Sequence, residues 1–273
     1  MRLLQSFTAT TNMICAALVV LYTSQTKCFA AGIVTDRPDQ TESSASVPSG
    51  GFQVETGWTH SRDETGGIES TTNGFAQTLL RIGLLERVEL RIGWDGYGRV
   101  NPGSAQPTIT GATDASIGGK IELWQERRGR PQAAALFSFT LPVGSKDLTS
   151  DRVDPKVRLS LSHTLSESVS LGYNIGVEAS SEFASDGSTH TPVYSIYTLA
   201  LGSDLAGSLG GFAELFGELR TDESDAPSNS FDGGLTYLFG ETVQLDVAGG
   251  VGLSSAADDW FVTVGLSALF LTR

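Results

Sequence analysis

The chain has 273 residues, with 18 Lys and Arg against 31 Asp and Glu and a net charge of −13 at neutral pH. Hydrophobic residues are 40% of it, and beyond residue 30 no stretch approaches the ~18 consecutive apolar residues of a membrane helix. Those figures exclude a helical membrane protein, and the acidic balance argues against a nucleic-acid partner, whose phosphates need clustered Lys and Arg.

Residues 1–30 read as an export signal: Arg2 makes a basic start, Met13 to Tyr22 an apolar run, and Cys28-Phe29-Ala30 a small-residue cleavage site. The run is too short to span a bilayer as an anchor. Both cysteines, Cys15 and Cys28, fall within it, so the mature chain is expected to have no disulfide, Cys metal site or thiol nucleophile. Loss of this segment removes Arg2 and Lys27 and no acid, taking the charge from −13 to −15. Residues 31–50 carry Pro38 and Pro48, many hydroxyls and no alternation. They read either as a disordered tail or as a plug inside a barrel, with Asp36, Asp39 and Glu42 meeting lumen arginines and Arg37 meeting an acid. The plug is preferred, because its charges match an interior of both signs.

Residues 51–273 are expected to form one domain, and its recurring pattern is period-two alternation, which sends alternate residues to opposite faces of a strand. In the first strand, Phe52–His60, Phe52, Val54, Thr56 and Trp58 oppose Gln53, Glu55 and Gly57. A loop is expected over Ser61–Thr72. Strand two, Asn73–Leu84, sets Ala76, Leu80, Ile82 and Leu84 against Phe75, Gln77, Leu79 and Arg81. After a turn at Glu86-Arg87, Val88, Leu90, Ile92 and Trp94 alternate with Glu89, Arg91, Gly93 and Asp95. A loop over Arg99–Gly111 precedes Ala112–Trp124, where Asp114, Ser116, Gly118, Lys120 and Glu122 share the polar face. The basic turn Glu126–Arg130 gives a strand ending at Leu141, and loop Pro142–Pro155 follows.

Lys156–Glu178 is the clearest unit, two strands of about ten residues with one wholly apolar face and one small, polar or charged face, the length and pattern of a transmembrane hairpin. Further strands are expected from Val193 to Leu201, Leu209–Arg220, Phe231–Phe239, Val243–Gly252 and Val262–Phe270. Long and short connections alternate. The sequence therefore predicts an all-β fold, a membrane-spanning antiparallel up-and-down β-barrel of about twelve strands in the outer membrane of a Gram-negative cell. A soluble lipocalin-like barrel would show the same alternation turned inside out; export, strand number and strand length favour the membrane.

The segment Thr35-Asp36-Arg37-Pro38-Asp39-Gln40-Thr41-Glu42-Ser43 resembles the TDRPD-TES opening of the phenol-degradation meta-pathway family of outer-membrane transporter-like barrels. Leu141-Pro142-Val143-Gly144 is similar to that family's LPTG step, and Phe212-Ala213-Glu214-Leu215-Phe216 to one of its strands. The first motif is the specific one. The resemblance covers nearly all of the mature chain and supports the membrane reading. It implies passage of small, often aromatic or apolar, solutes across the outer membrane.

On the face assigned to the lumen, Glu55, Arg81, Glu89, Arg91, Lys120, Glu122, Lys156, Arg158, Glu178, Glu214, Glu218 and Asp246 form a charged lattice. Arg81 is expected beside Glu89, and Arg91 beside Glu122. The lattice is either self-satisfied or a constriction that selects solutes, cations by its acidic excess. Phe75, Leu79, Leu136, Phe212, Phe216, Leu238 and Phe261 read either as packing or as an apolar path for a solute. No catalytic residue, cofactor or metal site is expected: His60, His163 and His190 are scattered, and none sits beside a Ser and an acid where it could activate a nucleophile. Expected partners are outer-membrane lipid and lipopolysaccharide, a small-molecule solute and the barrel-insertion machinery. The alternative is a non-conducting structural or adhesive barrel acting through acidic outer loops.

Overall fold

The computed structural model describes residues 32–104, 106–183, 189–222 and 226–271, so the export-signal expectation lies outside the described residues. The elements are β1 (Gly51–Thr65), β2 (Ile68–Leu85), β3 (Val88–Trp94), β4 (Tyr97–Asn101), β5 (Ile109–Ala112), β6 (Ala115–Trp124), β7 (Gln132–Leu141) and β8 (Asp154–Thr164). They continue with β9 (Val169–Ala179), β10 (Glu182–Phe183), β11 (Thr189–His190), β12 (Val193–Ala206), β13 (Leu209–Arg220), β14 (Ser228–Phe239), β15 (Val243–Gly252) and β16 (Trp260–Leu271). Each pairs antiparallel with its neighbours, and β1 closes the barrel by pairing with β16 from Gly51↔Leu271 to Arg62↔Trp260. Strand β2 pairs with both β3 and β4, which are one barrel strand broken at Asp95-Gly96, and β5 and β6 are another broken at Thr113-Asp114. With β10–β11 a separate hairpin inside a loop, the barrel has twelve strands.

The molecule is polar within and apolar without. Val157, Ile175, Val177, Leu199, Leu215, Leu235, Val247 and Val264 are 46–61% exposed on the outer face, whereas Arg81, Lys120, Glu55, Glu89, Glu214 and Asp232 are at most 1% exposed. A water-soluble protein does not expose apolar surface on that scale. Lipid does accept it, and the closed sheet leaves no backbone edge unpaired in the bilayer.

Three expectations are corrected. The loop over Ser61–Thr72 is strand: β1 and β2 stay paired to Thr65↔Ile68 around Gly66-Gly67. Alternation fades there because Arg62, Glu64 and Glu69 stand in water and pair with one another, with no lipid to demand apolar residues. The loop over Arg99–Gly111 contains the β4–β5 pair. Phe75 is on the outside, 42% exposed, because β2 carries a bulge at Ala76. Gly57 pairs with Gln77 and Trp58 with Phe75, so Ala76, at φ 56°, is the extra residue and reverses the alternation.

Candidate functional site: the filled lumen

Residues 32–50 run inside the barrel. Strand alternation gives the wall a ladder of inward polar groups at every second residue, and this segment, having no ladder of its own, satisfies its backbone on them. At the end where the short turns lie, Ile33 donates its N–H to Glu241 O, 2.8 Å, and Ile33 and Val47 pack with Leu269, Leu238 and Leu271. Further in, Gln53 and Arg81 donate to Val34 O, each at 2.9 Å. Gln40 N–H and the Thr41 hydroxyl donate to Glu214, and Glu42 N–H donates to Asn174 at 2.7 Å. Asn174 and Ser160 donate back to Glu42 O. Ser46 donates twice to Glu122 and Val47 N–H to Glu89. Gln132 donates to Ser44 O at 3.2 Å. Gln53, Ser160 and Gln132 are not among the site residues expected from the sequence, although each is a polar residue at an inward position.

The plug is electrically two-sided. On the β1–β2–β3–β6 wall, Arg81 bridges Glu55 and Glu89, both at 2.9 Å, and Arg91 contacts Glu89 at 3.0 Å. Asp36 enters this cluster and meets Arg91 at 2.5 Å, Lys120 at 3.1 Å and Arg81 at 3.2 Å. Glu42 meets Arg91 at 2.6 Å. On the adjoining β15–β16 wall, Arg37 reaches Asp246 at 3.3 Å and Thr263 at 2.7 Å. Its guanidinium fits because Gly57 and Gly265, cross-strand partners on β1 and β16, leave a slot: a Cβ on Gly57 would lie 2.5 Å from Arg37 Cζ. Two pairings differ from expectation. Asp39 meets no arginine among the described residues and instead borders cavities. Arg91 does not pair with Glu122, because the register sets Arg91 opposite Gly118, and Glu122 lies beyond the end of β3.

The other singled-out residues divide. Lys156 and Glu178 pair at 2.6 Å near the outer rim, with Arg158 3.9 Å from the same carboxylate, while Glu218 is half-buried on the inward face of β13. Leu79 is half-buried between Gln77 and Arg81 along β2. Leu136, 6% exposed, stands in register with Lys120 and Arg158, and Leu238 belongs to the small apolar cluster around Ile33. Phe216 and Phe261 meet edge to face at 6.1 Å. Phe261 and Phe212 border two different cavities beside the plug.

A closed antiparallel barrel with an apolar girdle and a charged, occupied lumen is a transmembrane barrel of the outer-membrane type, and the protein resides in the cell outer membrane. The family model described as "Putative MetA-pathway of phenol degradation" matches residues 35–270, so the match takes in the plug as well as the barrel, and the chain belongs to that family. Among solved structures, the COG4313 outer membrane channel from Pseudomonas putida F1 is similar with a TM-score of 0.67 at 14% identity, over 87% of this chain and 100% of that one. The NanC porin gives 0.54 at 7% identity, over 80% and 98%. The β domain of the Bordetella autotransporter BrkA gives 0.52 at 13%, over 81% and 99%. At these identities the likeness is one of fold. No curated protein matches the sequence.

Proposed function

We propose that the barrel is a channel that carries small organic solutes, apolar or aromatic, across the outer membrane, and that it is not an enzyme. The observation that carries this reading is that the lumen is not sealed by its charges: beside the cluster that holds Asp36, Phe212 borders one cavity along the plug and Phe261, which meets Phe216 edge to face, borders another. The family description, which concerns phenol degradation, and the description of the Pseudomonas putida neighbour as a channel support it. The charged lattice of Arg81, Glu89, Arg91 and Lys120 serves to hold the plug rather than to select ions. Membrane lipid surrounds the apolar girdle; lipopolysaccharide contacts the acidic outer loops, and the insertion machinery engages the last strand around Phe270.

The test is uptake of a neutral single-ring solute by porin-deficient Gram-negative cells that express the protein. Uptake above that of cells lacking it is expected, and Phe212→Ala with Phe216→Ala is expected to alter the rate. Uptake equal to the control, with the barrel correctly inserted, refutes the channel reading and leaves the adhesive alternative.

A further inference from the structure

We infer that the β6–β7 turn is a binding site for the headgroup of an anionic phospholipid in the inner leaflet of the outer membrane, built around the guanidinium of Arg130. The site lies on the outside of the barrel and is independent of what the lumen carries.

The short turns, which face the periplasm, carry unlike charge. Glu167 in the β8–β9 turn, Asp204 near the end of β12 and Glu241 in the β14–β15 turn are exposed acids, and those turns have no Lys or Arg. The β2–β3 turn instead carries Arg87, and the β6–β7 turn Arg127, Arg128 and Arg130, all exposed, against the acids Glu86 and Glu126. The two basic turns adjoin, because Glu122 donates its N–H to Arg87 O at 2.9 Å. Glu126 is engaged elsewhere: both its oxygens accept from Thr164 N–H at 3.1 Å, and it lies 3.9 Å from His163. None of the four arginines has an ion-pair partner among the described residues.

The surroundings place this patch at the edge of the bilayer. Leu84 and Leu85, which end β2, are 52% and 53% exposed. Leu123 is the extra residue of a bulge, so Trp124 stands opposite Ala133, on the outward face that Ile121 shares with Ala135. An indole there sits at headgroup level, as the aromatic girdles of such barrels do. Its Nε1 donates to Pro131 O at 2.9 Å, and Arg130 Cζ lies 5.3 Å from its ring centroid. Arg130 is thereby laid over the ring, and its one hydrogen bond, to Gln125 O, is a long 3.5 Å. Its remaining N–H groups are free to bind two oxygens of one phosphate, which a stacked guanidinium can do and an ammonium cannot. Arg127 and Arg130 exchange backbone hydrogen bonds of 3.1 Å around Arg128, at φ 50°, and Gly129, at φ 80°. Asn is common at the first of those two positions, where a long side chain is disfavoured; here the tip carries a further cation. With −13 on the whole chain, attraction to an anionic surface has to be local. A zwitterionic headgroup, whose own cation offsets its phosphate, gains less from it.

The experiment keeps Trp124 as the sole tryptophan, with Trp58, Trp94 and Trp260 replaced by Phe, in the full barrel reconstituted in phosphatidylcholine vesicles. Quenching by brominated phosphatidylglycerol, set against brominated phosphatidylcholine at equal mole fraction, reports which lipid stands beside Trp124. Phosphatidylglycerol is expected to associate more strongly by at least about fivefold, the worth of one arginine at an anionic surface. Arg127→Gln, Arg128→Asn and Arg130→Gln together should abolish that preference, while unchanged quenching by brominated phosphatidylcholine shows the variant barrel to be inserted. Arg99→Gln, Lys146→Gln and Arg152→Gln take three charges from the opposite rim and should leave the preference intact. Equal association of the two lipids with the parent protein overturns the site, as does a preference that survives in the turn variant or is lost in the opposite-rim variant. Millimolar inorganic phosphate should weaken the preference no more than potassium chloride of equal ionic strength; if it abolishes it, the turn binds free phosphate and the lipid assignment fails.

Discussion

Asp36→Asn keeps the size of the side chain and removes the charge that joins plug to wall. Around it the barrel itself supplies three cations, Arg81, Arg91 and Lys120, and two carboxylates, Glu55 and Glu89, all at most 8% exposed. That leaves one positive charge in excess, which Asp36 and Glu42 of the plug more than offset. Removing one partner of a buried pair costs about 3–5 kcal/mol, because the remaining charges cannot return to water. At about 1.4 kcal/mol per decade, plug docking weakens by about a hundredfold to a few thousandfold. In planar bilayers Asp36→Asn is expected to show larger or longer open-channel currents than wild type. Asp39→Asn, three residues on and in no ion pair among the described residues, should leave the baseline ion current unchanged. Adding Lys120→Met to Asp36→Asn removes a cation that has lost its counter-charge and should recover part of the docking, within the roughly 0.5–3 kcal/mol expected of coupled neighbours. An Asp36→Asn channel as quiet as wild type, or an Asp39→Asn channel that opens as far, refutes the anchoring role.

Two other outcomes are expected. Ala76 sits in the left-handed region at φ 56°, where an L side chain costs about 1–2 kcal/mol, so Ala76→Gly should raise the urea midpoint of the bilayer-embedded barrel and Ala76→Val should lower it. Asp114, in the connection between β5 and β6, tethers the 142–153 loop by accepting from Gly144 N–H at 2.8 Å and from Ser150 N–H at 2.7 Å. Burial pushes its carboxyl up, but these bonds, with those from the Thr149 and Ser150 side chains, outweigh it and hold it below the usual carboxylate range. A carboxyl lowered in the folded state stabilises above its unfolded pKa of about 3.9, and that contribution is lost as pH falls through the folded value. Amide protection at Gly144 and Ser150 should therefore be pH-independent near neutrality and fall in acid below about pH 4, and Asp114→Asn should show the acid level of protection at pH 7.

Barrel, strand number and the inward charges were legible because alternation is a local property and lipid enforces it at every outward position. Leu209–Arg220 and Val243–Gly252 have the expected ends. Phe75 was misplaced because one inserted residue reverses everything on one side of it, and Ala76 carries none of the glycine or proline marks that announce a bulge. The outer hairpin of β1 and β2 has no strand signature in the sequence because pairing there continues after the lipid that shapes the pattern has ended. Asp36 and Asp39 are identical in type and three positions apart, yet one lies among three cations and the other beside a cavity. That difference is set by the path of a segment with no periodicity, which alternation cannot trace.

The slot for Arg37 straddles the seam where the chain's first and last barrel strands meet, with Gly57 on β1 and Gly265 on β16. Neither strand alone makes the slot, so it comes into being when the cylinder shuts. Asp36, one residue earlier, donates its N–H to Glu55 on β1, while Arg37 binds Thr263 on β16. The plug is thus a rivet through the joint, and a channel assembled without it would lack a clasp at its last-made edge as well as a stopper in its bore.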